Sequence, residues 1–157
     1  MTTVAKDAVE LERRIAARPE IVFAYFTDAA KYERWQGNHA TLDPRPGGIF
    51  EVTVSGQTKT VAKGVYLEVD PPRRIVFSWG WVQADWLPDG MRLPPGSTTV
   101  EVTLMADGGG TMLRLRHGGL PTAAACGFHT WGWDLSLDRL VRVAEGADPG
   151  PDPFAEM

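Results

Sequence analysis

Alternation of apolar and polar residues predicts strands along most of the chain. In residues 8–15, AVELERRI, every second side chain from Val9 lies on one face, and Arg13 interrupts that otherwise apolar row. Asp107 and the three glycines after it form the signal of a hairpin turn. The same two-residue period recurs at 49–54, 60–69, 73–81, 98–105 and 111–117. Because short turns join most of these strands, we expect an antiparallel sheet.

Helical signals flank the strands. Pro19 and Glu20 suit the first turn of a helix, and Asp28 suits the N-cap of a short second helix that ends near Gly37. Thr122 can cap a long final helix that runs to about residue 144. The predicted order is β-α-α, a run of strands and one long helix, which corresponds to a two-layer α+β domain.

The final helix carries two apolar stripes. The stripe expected to face the sheet consists of His129, Trp133, Ser136, Leu137, Leu140 and Ala144. The second consists of Phe128, Trp131 and Leu135 and needs another cover. That cover is the apolar, Pro/Gly-rich loop 82–97, the two small helices, or a second copy of the chain, so this stripe and the loop are the expected surfaces of a homodimer.

Composition limits the function classes. With 157 residues, the chain fits one domain, which we place at 8–145 between an N-terminal extension (1–7) and a flexible tail (146–157). A net charge of −4 gives little attraction for nucleic acid, and no apolar run is long enough to insert into a membrane. Cys126 is the single cysteine and no signal peptide is evident, so we expect a cytoplasmic protein.

Seven stretches in a fixed order resemble one protein family. They are PEIVFAYFTD (19–28), ERW-x-G (33–37), LDPRPGGIFEV (42–52), VDPPRRIVFSWGW (69–81), PPGSTTVEVTL (94–104), GTMLRLRHGGLP (110–121) and HTWGW with LDRL (129–140). In type and order they are similar to the activator of Hsp90 ATPase homologue 1-like domain family of the START/Bet v 1-like superfamily. The resemblance covers residues 8 to about 145.

The resemblance implies the helix-grip fold, in which a curved antiparallel sheet wraps around a long C-terminal helix and encloses a cavity. Members of the superfamily bind lipids, sterols, polyketides and plant hormones, and some are cyclases or hydrolases. Two features depart from the family pattern. Gln36 stands where many relatives have an apolar residue, and AAACGF (123–128) stands where relatives often carry acidic residues. The first departure can change the pocket mouth, and the second can expose an apolar surface.

Within such a fold, ten residues are candidates for ligand contact. They are Arg13, Trp35, Phe50, Phe77, Trp79, His117, His129, Trp133, Ser136 and Leu140. The aromatic members either line a pocket or fill it. His129 either points into the cavity, as a hydrogen-bonding group or a general base, or is bonded to a strand backbone or to Ser136. It is the one candidate for a catalytic group.

Two further candidates have structural alternatives. Arg13 would meet either a ligand carboxylate or the carboxylates and carbonyl groups of the protein. His117 could approach His129, but no metal-ligand spacing accompanies the pair, so we expect neither a metal nor a cofactor. Nucleophile, phosphate-binding and dinucleotide-binding motifs are missing from the sequence.

The sequence therefore gives three functional hypotheses. The first is a domain that binds a small apolar or amphipathic molecule between the sheet and the long helix. The second is a cyclase- or hydrolase-like enzyme that uses a cavity histidine. The third is a protein-interaction module related to Hsp90 co-chaperones.

Overall fold

The computed structural model describes residues 3–4 and 7–157, which form an antiparallel sheet and three α-helices. The strands are β1 (Thr3–Val4), β2 (Ala8–Ile15), β3 (His39–Leu42), β4 (Ile49–Thr53), β5 (Val61–Asp70), β6 (Arg74–Trp79), β7 (Trp81–Val82), β8 (Thr98–Asp107) and β9 (Gly110–Gly118). The helices are α1 (Pro19–Thr27), α2 (Ala29–Tyr32) and α3 (Ala123–Ala144), with a 3-10 turn at Asp89–Met91. Most of the expected extension 1–7 lies outside the described residues.

The sheet is arranged around α3. Neighbouring strands follow the order β1–β2–β9–β8–β6–β5–β4–β3, and β7 pairs with β5. The pairings are all antiparallel in the described part of the chain. Helix α3 packs against β2, while α1 contacts β8, β9 and α3. This is the α+β helix-grip architecture expected from the sequence.

Local signals explain most element boundaries. The side chains of Asp28 and Thr122 cap α2 and α3 by accepting hydrogen bonds from backbone N–H groups three residues later. The single strand predicted at 73–81 is instead divided into β6 and β7. At the break, a Cβ on Gly80 would lie 1.8 Å from the carbonyl oxygen of Pro94. Helix α2 ends at Tyr32 rather than near Gly37, because turns replace its last predicted residues.

Aromatic side chains fill the space between the sheet and the helices. Phe50 and Phe77 stack with ring centroids 4.0 Å apart, and Tyr66 meets Phe50 edge to face. Tyr32 and Trp35 pack beside them, and these five side chains are fully buried. Such contacts add to the stabilisation from burial itself. The centre of the sheet–helix space is therefore solid core.

The polar tips of the core aromatics tie the small helices to the rest of the fold. The indole Nε1–H of Trp35 donates to the carbonyl oxygen of Tyr25 at 2.9 Å. The hydroxyl of Tyr66 donates to the carbonyl oxygen of Phe26 at 2.8 Å. Both acceptors lie in the last turn of α1, where helix carbonyls lack intrahelical partners. These bonds fix the end of α1 against β5.

The outer face of the sheet carries charged side chains. Its ion pairs are Arg74 with Glu68 and Glu101, Arg116 with Glu10 and Glu101, and Arg114 with Glu12. Cross-strand pairs of opposite charge suit a solvated sheet face. The sheet is therefore polar outside and aromatic inside, as the alternation predicts.

Loop 82–97 folds back onto the body of the protein. Ala84, Leu87 and Leu93 in this loop are buried, and the Trp81 N–H donates to the carbonyl oxygen of Leu93 at 2.8 Å. Trp86 remains 40% exposed. The apolar side chains of this loop are therefore covered mainly by the same chain, with Trp86 as the exposed exception.

The segment after α3, for which the composition predicts a flexible tail, packs against the domain in this structure. Phe154 is only 5% exposed and meets Trp131 edge to face at 5.4 Å. The Thr58 N–H donates to the main-chain oxygen of Met157 at 3.0 Å, and the Ser55 hydroxyl donates to the same atom. The burial of Phe154 and these hydrogen bonds, with those from Arg139 and Arg142 to the carbonyl oxygens of Gly150 and Pro149, oppose the entropy cost of ordering a Pro/Gly-rich segment.

A helix long and apolar enough to cross a membrane does not occur among the described residues.

Two glycine substitutions compare a crowded backbone position between β5 and β6 with an open position on α3. A Cβ on Gly64 would lie 2.0 Å from the carbonyl oxygen of Ser78, whereas a Cβ on Gly127 in α3 meets nothing within 4 Å. We expect Gly64→Ala to lower the free energy of unfolding by about 1–3 kcal/mol, and Gly127→Ala to raise it by about 0.5–1 kcal/mol. Urea unfolding measures both, and equal effects would contradict the packing described at β5.

Candidate ligand-binding site

A small cavity lies at the tryptophan-rich end of the sheet, between α3, β6, β7 and the loops that cover them. Its lining residues are Gln36, Val54, Ser55, Thr60, Trp79, Trp81, Trp86, Leu87, Phe128, His129, Gly132, Trp133, Phe154 and Met157. Its volume of about 40 Å³ holds a few water molecules. Pockets that hold drug-sized molecules are typically about 300–1,000 Å³. The cavity in this structure is therefore too small for a ligand of that size.

The wall of the cavity is aromatic and uncharged. Four indoles contribute to it, from Trp79, Trp81, Trp86 and Trp133. Asp, Glu, Lys and Arg do not occur among its described lining residues. Polar side chains come from Gln36, Ser55, Thr60 and His129. A charged group that entered this space would lose its hydration without gaining a partner of opposite charge.

His129 in α3 is neutral and fully engaged within the protein. It is 3% exposed. Its Nε2 accepts a hydrogen bond from the indole Nε1–H of Trp81 at 3.1 Å, so that nitrogen carries no proton. Its Nδ1–H therefore donates to the carbonyl oxygen of Ala125 at 2.7 Å. Burial lowers the pKa of His129 to about 4, although the hydrogen bond to Ala125 opposes this shift.

His117 in β9 is fixed in the opposite tautomer by a chain of hydrogen bonds. Its Nδ1 accepts from the indole Nε1–H of Trp133 at 3.0 Å. Its Nε2–H is then left to donate to the Thr98 hydroxyl at 2.7 Å, and that hydroxyl donates to the carbonyl oxygen of Trp79 at 2.8 Å. Burial, with a smaller contribution from nearby His129, lowers the pKa of His117 well below its usual value.

The two histidines meet each other but do not form a metal site. Their ring centroids are 5.0 Å apart with the rings nearly perpendicular. Each ring nitrogen already has a protein partner. Within residues 7–157, His, Cys, Asp and Glu do not form a cluster of three or more that could hold a metal ion.

Trp79 differs from the neighbouring tryptophans because its indole N–H group is buried without a hydrogen-bond partner in the described part of the chain. It is 2% exposed, and its Nε1–H has no hydrogen-bond partner among the described residues. Trp81 and Trp133, which pack against it, both donate to a histidine. An unpaired buried N–H group costs about 1–3 kcal/mol relative to a bonded one. The donor of Trp79 is therefore the one indole group of this cluster that gains from an added hydrogen-bond acceptor.

Gln36, the first departure from the family pattern, joins α3 to the region around α2. Its Oε1 accepts from the Tyr32 hydroxyl at 2.6 Å, and its Nε2 donates to the Ser136 hydroxyl at 3.2 Å. Ser136 is completely buried, and Gln36 is 4% exposed. The polar side chain therefore closes this end of the cavity with internal hydrogen bonds.

Arg13 pairs with protein carboxylates. Its guanidinium forms ion pairs with Asp134 and Asp138, which are one helical turn apart on α3. It also donates to the carbonyl oxygen of Glu12 at 3.0 Å. Arg13 therefore contacts carboxylates and a carbonyl group of the protein itself, as in the second of the two alternatives from the sequence. These contacts attach β2 to α3 outside the cavity.

The remaining candidates divide between wall and core. Trp79, His129 and Trp133 line the cavity, with His117 directly behind them. Trp35, Phe50, Phe77, Ser136 and Leu140 are fully buried and do not belong to its lining. Apart from Arg13, the candidates that the sequence pattern names are buried. The pattern does not show that large side chains fill the part of the interior where Phe50 and Phe77 lie.

Several wall residues lie outside the predicted set. Trp86 and Leu87 belong to the apolar loop 82–97, where their hydrophobicity is a visible signal. Phe154 lies in a segment otherwise rich in Pro, Gly and acidic residues, and a single phenylalanine has no periodicity that would reveal burial. Ser55 and Thr60 flank the β4–β5 turn and have no distinguishing pattern.

The hydrogen bonds predict opposite tautomers for the two buried histidines. At neutral pH we expect His117 in the Nε2–H form and His129 in the Nδ1–H form, because each remaining nitrogen accepts from an indole. Long-range ¹H–¹⁵N correlation spectra report the tautomer directly. The same tautomer at both positions, or a protonated ring at either, would contradict this network.

The low pKa of His129 also predicts a stability that depends on pH. The unfolded histidine binds a proton near pH 6.5 and the folded one near pH 4, so the unfolded chain binds more protons in this window. The free energy of unfolding should fall as pH falls from 6.5 to 4, at up to about 1.4 kcal/mol per pH unit from this residue.

His129→Gln isolates that contribution, because glutamine can accept from Trp81 and cannot titrate. Urea unfolding between pH 7 and pH 4.5 compares the two proteins. The variant should lose less stability across the window than the parent, and an identical dependence would show that His129 does not titrate as described.

Comparison with known proteins identifies the family. The model of the family described as activator of Hsp90 ATPase homolog 1-like protein matches residues 16–145. An AHSA1-like protein from Rhizobium etli, with a solution structure, is 44% identical, with a TM-score of 0.72 over 100% of this chain and 94% of its own. A comparison with curated proteins finds no match.

More distant solved structures share the fold. A protein from Mesorhizobium loti is 23% identical, with a TM-score of 0.76 over 90% of this chain and 98% of its own. DynU16, from the dynemicin biosynthetic locus, is 22% identical, with a TM-score of 0.74 over 92% of this chain and 49% of its own. The family model spans most of the sequence, and the Rhizobium etli relative is similar over the whole of this chain. The chain therefore belongs to the activator of Hsp90 ATPase homologue 1-like family.

Proposed function

We propose that this protein binds a small, neutral, largely aromatic or apolar molecule in the cavity between α3, β6, β7 and loop 82–97. The observation that carries the proposal is the composition of the wall, which combines four indoles with no charged side chain among its described residues. Aromatic rings stack favourably on indole faces, whereas a carboxylate, phosphate or ammonium group would be desolvated there without a counter-ion.

The unpaired donor of Trp79 adds a polar preference. A ligand oxygen that accepts from its Nε1–H would relieve the cost of a buried unsatisfied group. Uncharged acceptors such as ketone, ester or ether oxygens suit this position better than ionised ones, since His129 and His117 are both neutral. We therefore infer a ligand with a flat ring system and at least one neutral oxygen.

The relatives are consistent with a small-molecule role at the level of the fold. DynU16 is encoded in a biosynthetic locus, although its 22% identity supports a shared fold rather than a shared ligand. Helix-grip relatives also include cyclases and hydrolases, which is the second function considered from the sequence. His129 has both nitrogens engaged by Trp81 and Ala125, so the described geometry does not favour it as a general base.

The third hypothesis, a protein-interaction module, rests on a smaller exposed apolar surface than the sequence suggested. Leu135 packs against the core, and Phe128 contacts Trp81 and Trp131 within the chain. Trp131 remains 45% exposed beside Phe154. Part of the stripe expected to form a homodimer is therefore covered by the chain itself, and Trp131 is the residue on which a partner would depend.

Two fluorescent probes with the same ring system test the proposed ligand class. N-phenyl-1-naphthylamine is uncharged, and 8-anilino-1-naphthalenesulfonate adds an anionic sulfonate. We expect the neutral probe to bind at least about tenfold more tightly, because the sulfonate has no counter-ion in the wall. Titrations at two salt concentrations separate this preference from surface electrostatics.

Native mass spectrometry before and after organic extraction is the companion measurement. A co-purified neutral compound that is lost on extraction would support the proposal that the cavity binds a small neutral molecule. Equal affinity for the two probes would contradict a neutral site, and binding of neither probe, with no extractable compound, would overturn the proposed function.

A further inference from the structure

We propose that residues 151–157 form a lid over the cavity, with Phe154 occupying space that a bound ligand takes. The inference rests on the proposed function and concerns the regulation of the same site. Phe154 and Met157 belong to the cavity wall and pack with the hydrophobic core, yet both lie beyond α3 in a segment that belongs to no strand or long helix. They reach the wall because this segment folds back from the end of α3 over the cavity.

The buried ring of Phe154 is the main contact of the lid. It is 5% exposed and packs edge to face on Trp131 at 5.4 Å. Beneath it lies Gly132 of α3, whose missing side chain leaves the helix surface flat, and a Cβ there would meet the ring at 3.9 Å. A phenyl ring in an aromatic cavity resembles the neutral aromatic group that we propose as ligand.

The two ends of the lid are held differently. Immediately before the lid, Arg142 donates to the carbonyl oxygen of Pro149 at 3.1 Å, and Arg139 donates to the carbonyl oxygen of Gly150 at 3.4 Å. Both arginines belong to α3, so this end is attached to the rigid helix. This end can therefore serve as the fixed point of a hinge.

The far end of the lid is attached only at the β4–β5 turn. The Thr58 N–H and the Ser55 hydroxyl both donate to the main-chain oxygen of Met157. The segment belongs to no strand or long helix, and its buried apolar surface comes from Phe154 and, in part, from Met157. Local opening of such a segment is much easier than global unfolding. The lid can therefore open while the sheet and α3 stay intact.

A lid with these contacts accounts for the size of the cavity. With the lid closed, the cavity has room for a few water molecules only. Displacing Phe154 and Met157 would remove two of its lining side chains and enlarge it. A ligand would then compete with Phe154 for the same aromatic surface. The apparent affinity should fall in proportion to the small fraction of open molecules.

Phe154→Ala tests the lid, and Glu156→Ala in the same segment is the matched control because Glu156 is exposed. The first measurement needs no ligand. The Thr58 N–H donates to the main-chain oxygen of Met157 at 3.0 Å and also to the Ser55 hydroxyl at 3.3 Å, which can remain when the lid opens. Amide hydrogen exchange at Thr58 should therefore accelerate at least about threefold in Phe154→Ala, with no change at Val102 in the middle of β8. Unchanged exchange at Thr58 would overturn the lid, and faster exchange at Val102 would show general loosening instead.

The second measurement uses N-phenyl-1-naphthylamine as the probe. Phe154→Ala should bind it at least about tenfold more tightly than the parent protein, whereas Glu156→Ala should match the parent. Equal binding by all three proteins would overturn the lid and leave the proposed function standing. Binding by none of them would overturn the proposed function, and with it the role of the lid as a gate, whatever the exchange at Thr58.

Discussion

The interior of this protein depends on satisfying indole and imidazole nitrogens that are buried together. Trp81 donates to His129 and Trp133 donates to His117, so two strands and α3 are joined by side chains that carry no charge. Each bond needs a neutral ring in one defined tautomer, and burial supplies that condition by lowering both pKa values. If either ring were charged, an indole would lose its acceptor and a cation would be left in an aromatic core.

The same constraint locates the site and limits its chemistry. Once the two histidines have accepted from Trp81 and Trp133, the donor of Trp79 remains without a partner in the described structure. Trp79 lines the cavity at the tryptophan-rich end of the sheet. His129, the one residue that the sequence suggests for acid–base catalysis, thus acts as an acceptor for tryptophan, as does His117. The group available to donate a hydrogen bond to a ligand is the indole N–H of Trp79 instead.

Sequence patterns predict the fold well, because alternation, caps and turns are local properties. The faces of β2 and α3, the caps at Asp28 and Thr122 and the hairpin after Asp107 all follow from short-range signals. The site is less predictable because it depends on how side chains from distant segments fill one space. Nothing near Gly80 in sequence reveals that Pro94 will lie against its backbone and divide the strand between Trp79 and Trp81.

Residues outside regular elements are the least predictable part of the site. Phe154 is one apolar residue in a segment whose composition favours disorder, and only the tertiary structure shows that Trp131 and Gly132 receive it. Arg13 illustrates the converse case. Its inward position is readable from the strand period, but its partners, Asp134 and Asp138, depend on the placement of α3.

The central claim is that the ligand site is the tryptophan-walled cavity rather than the centre of the sheet–helix space. The most direct test is ¹⁹F NMR of protein labelled with 5-fluorotryptophan, which gives one signal for each of the 6 tryptophans. Saturation with N-phenyl-1-naphthylamine should shift the signals of Trp79 and Trp133, which line the cavity, and leave Trp35, which does not line it, unchanged. A bound probe that shifts Trp35 while Trp79 and Trp133 stay in place would contradict the account.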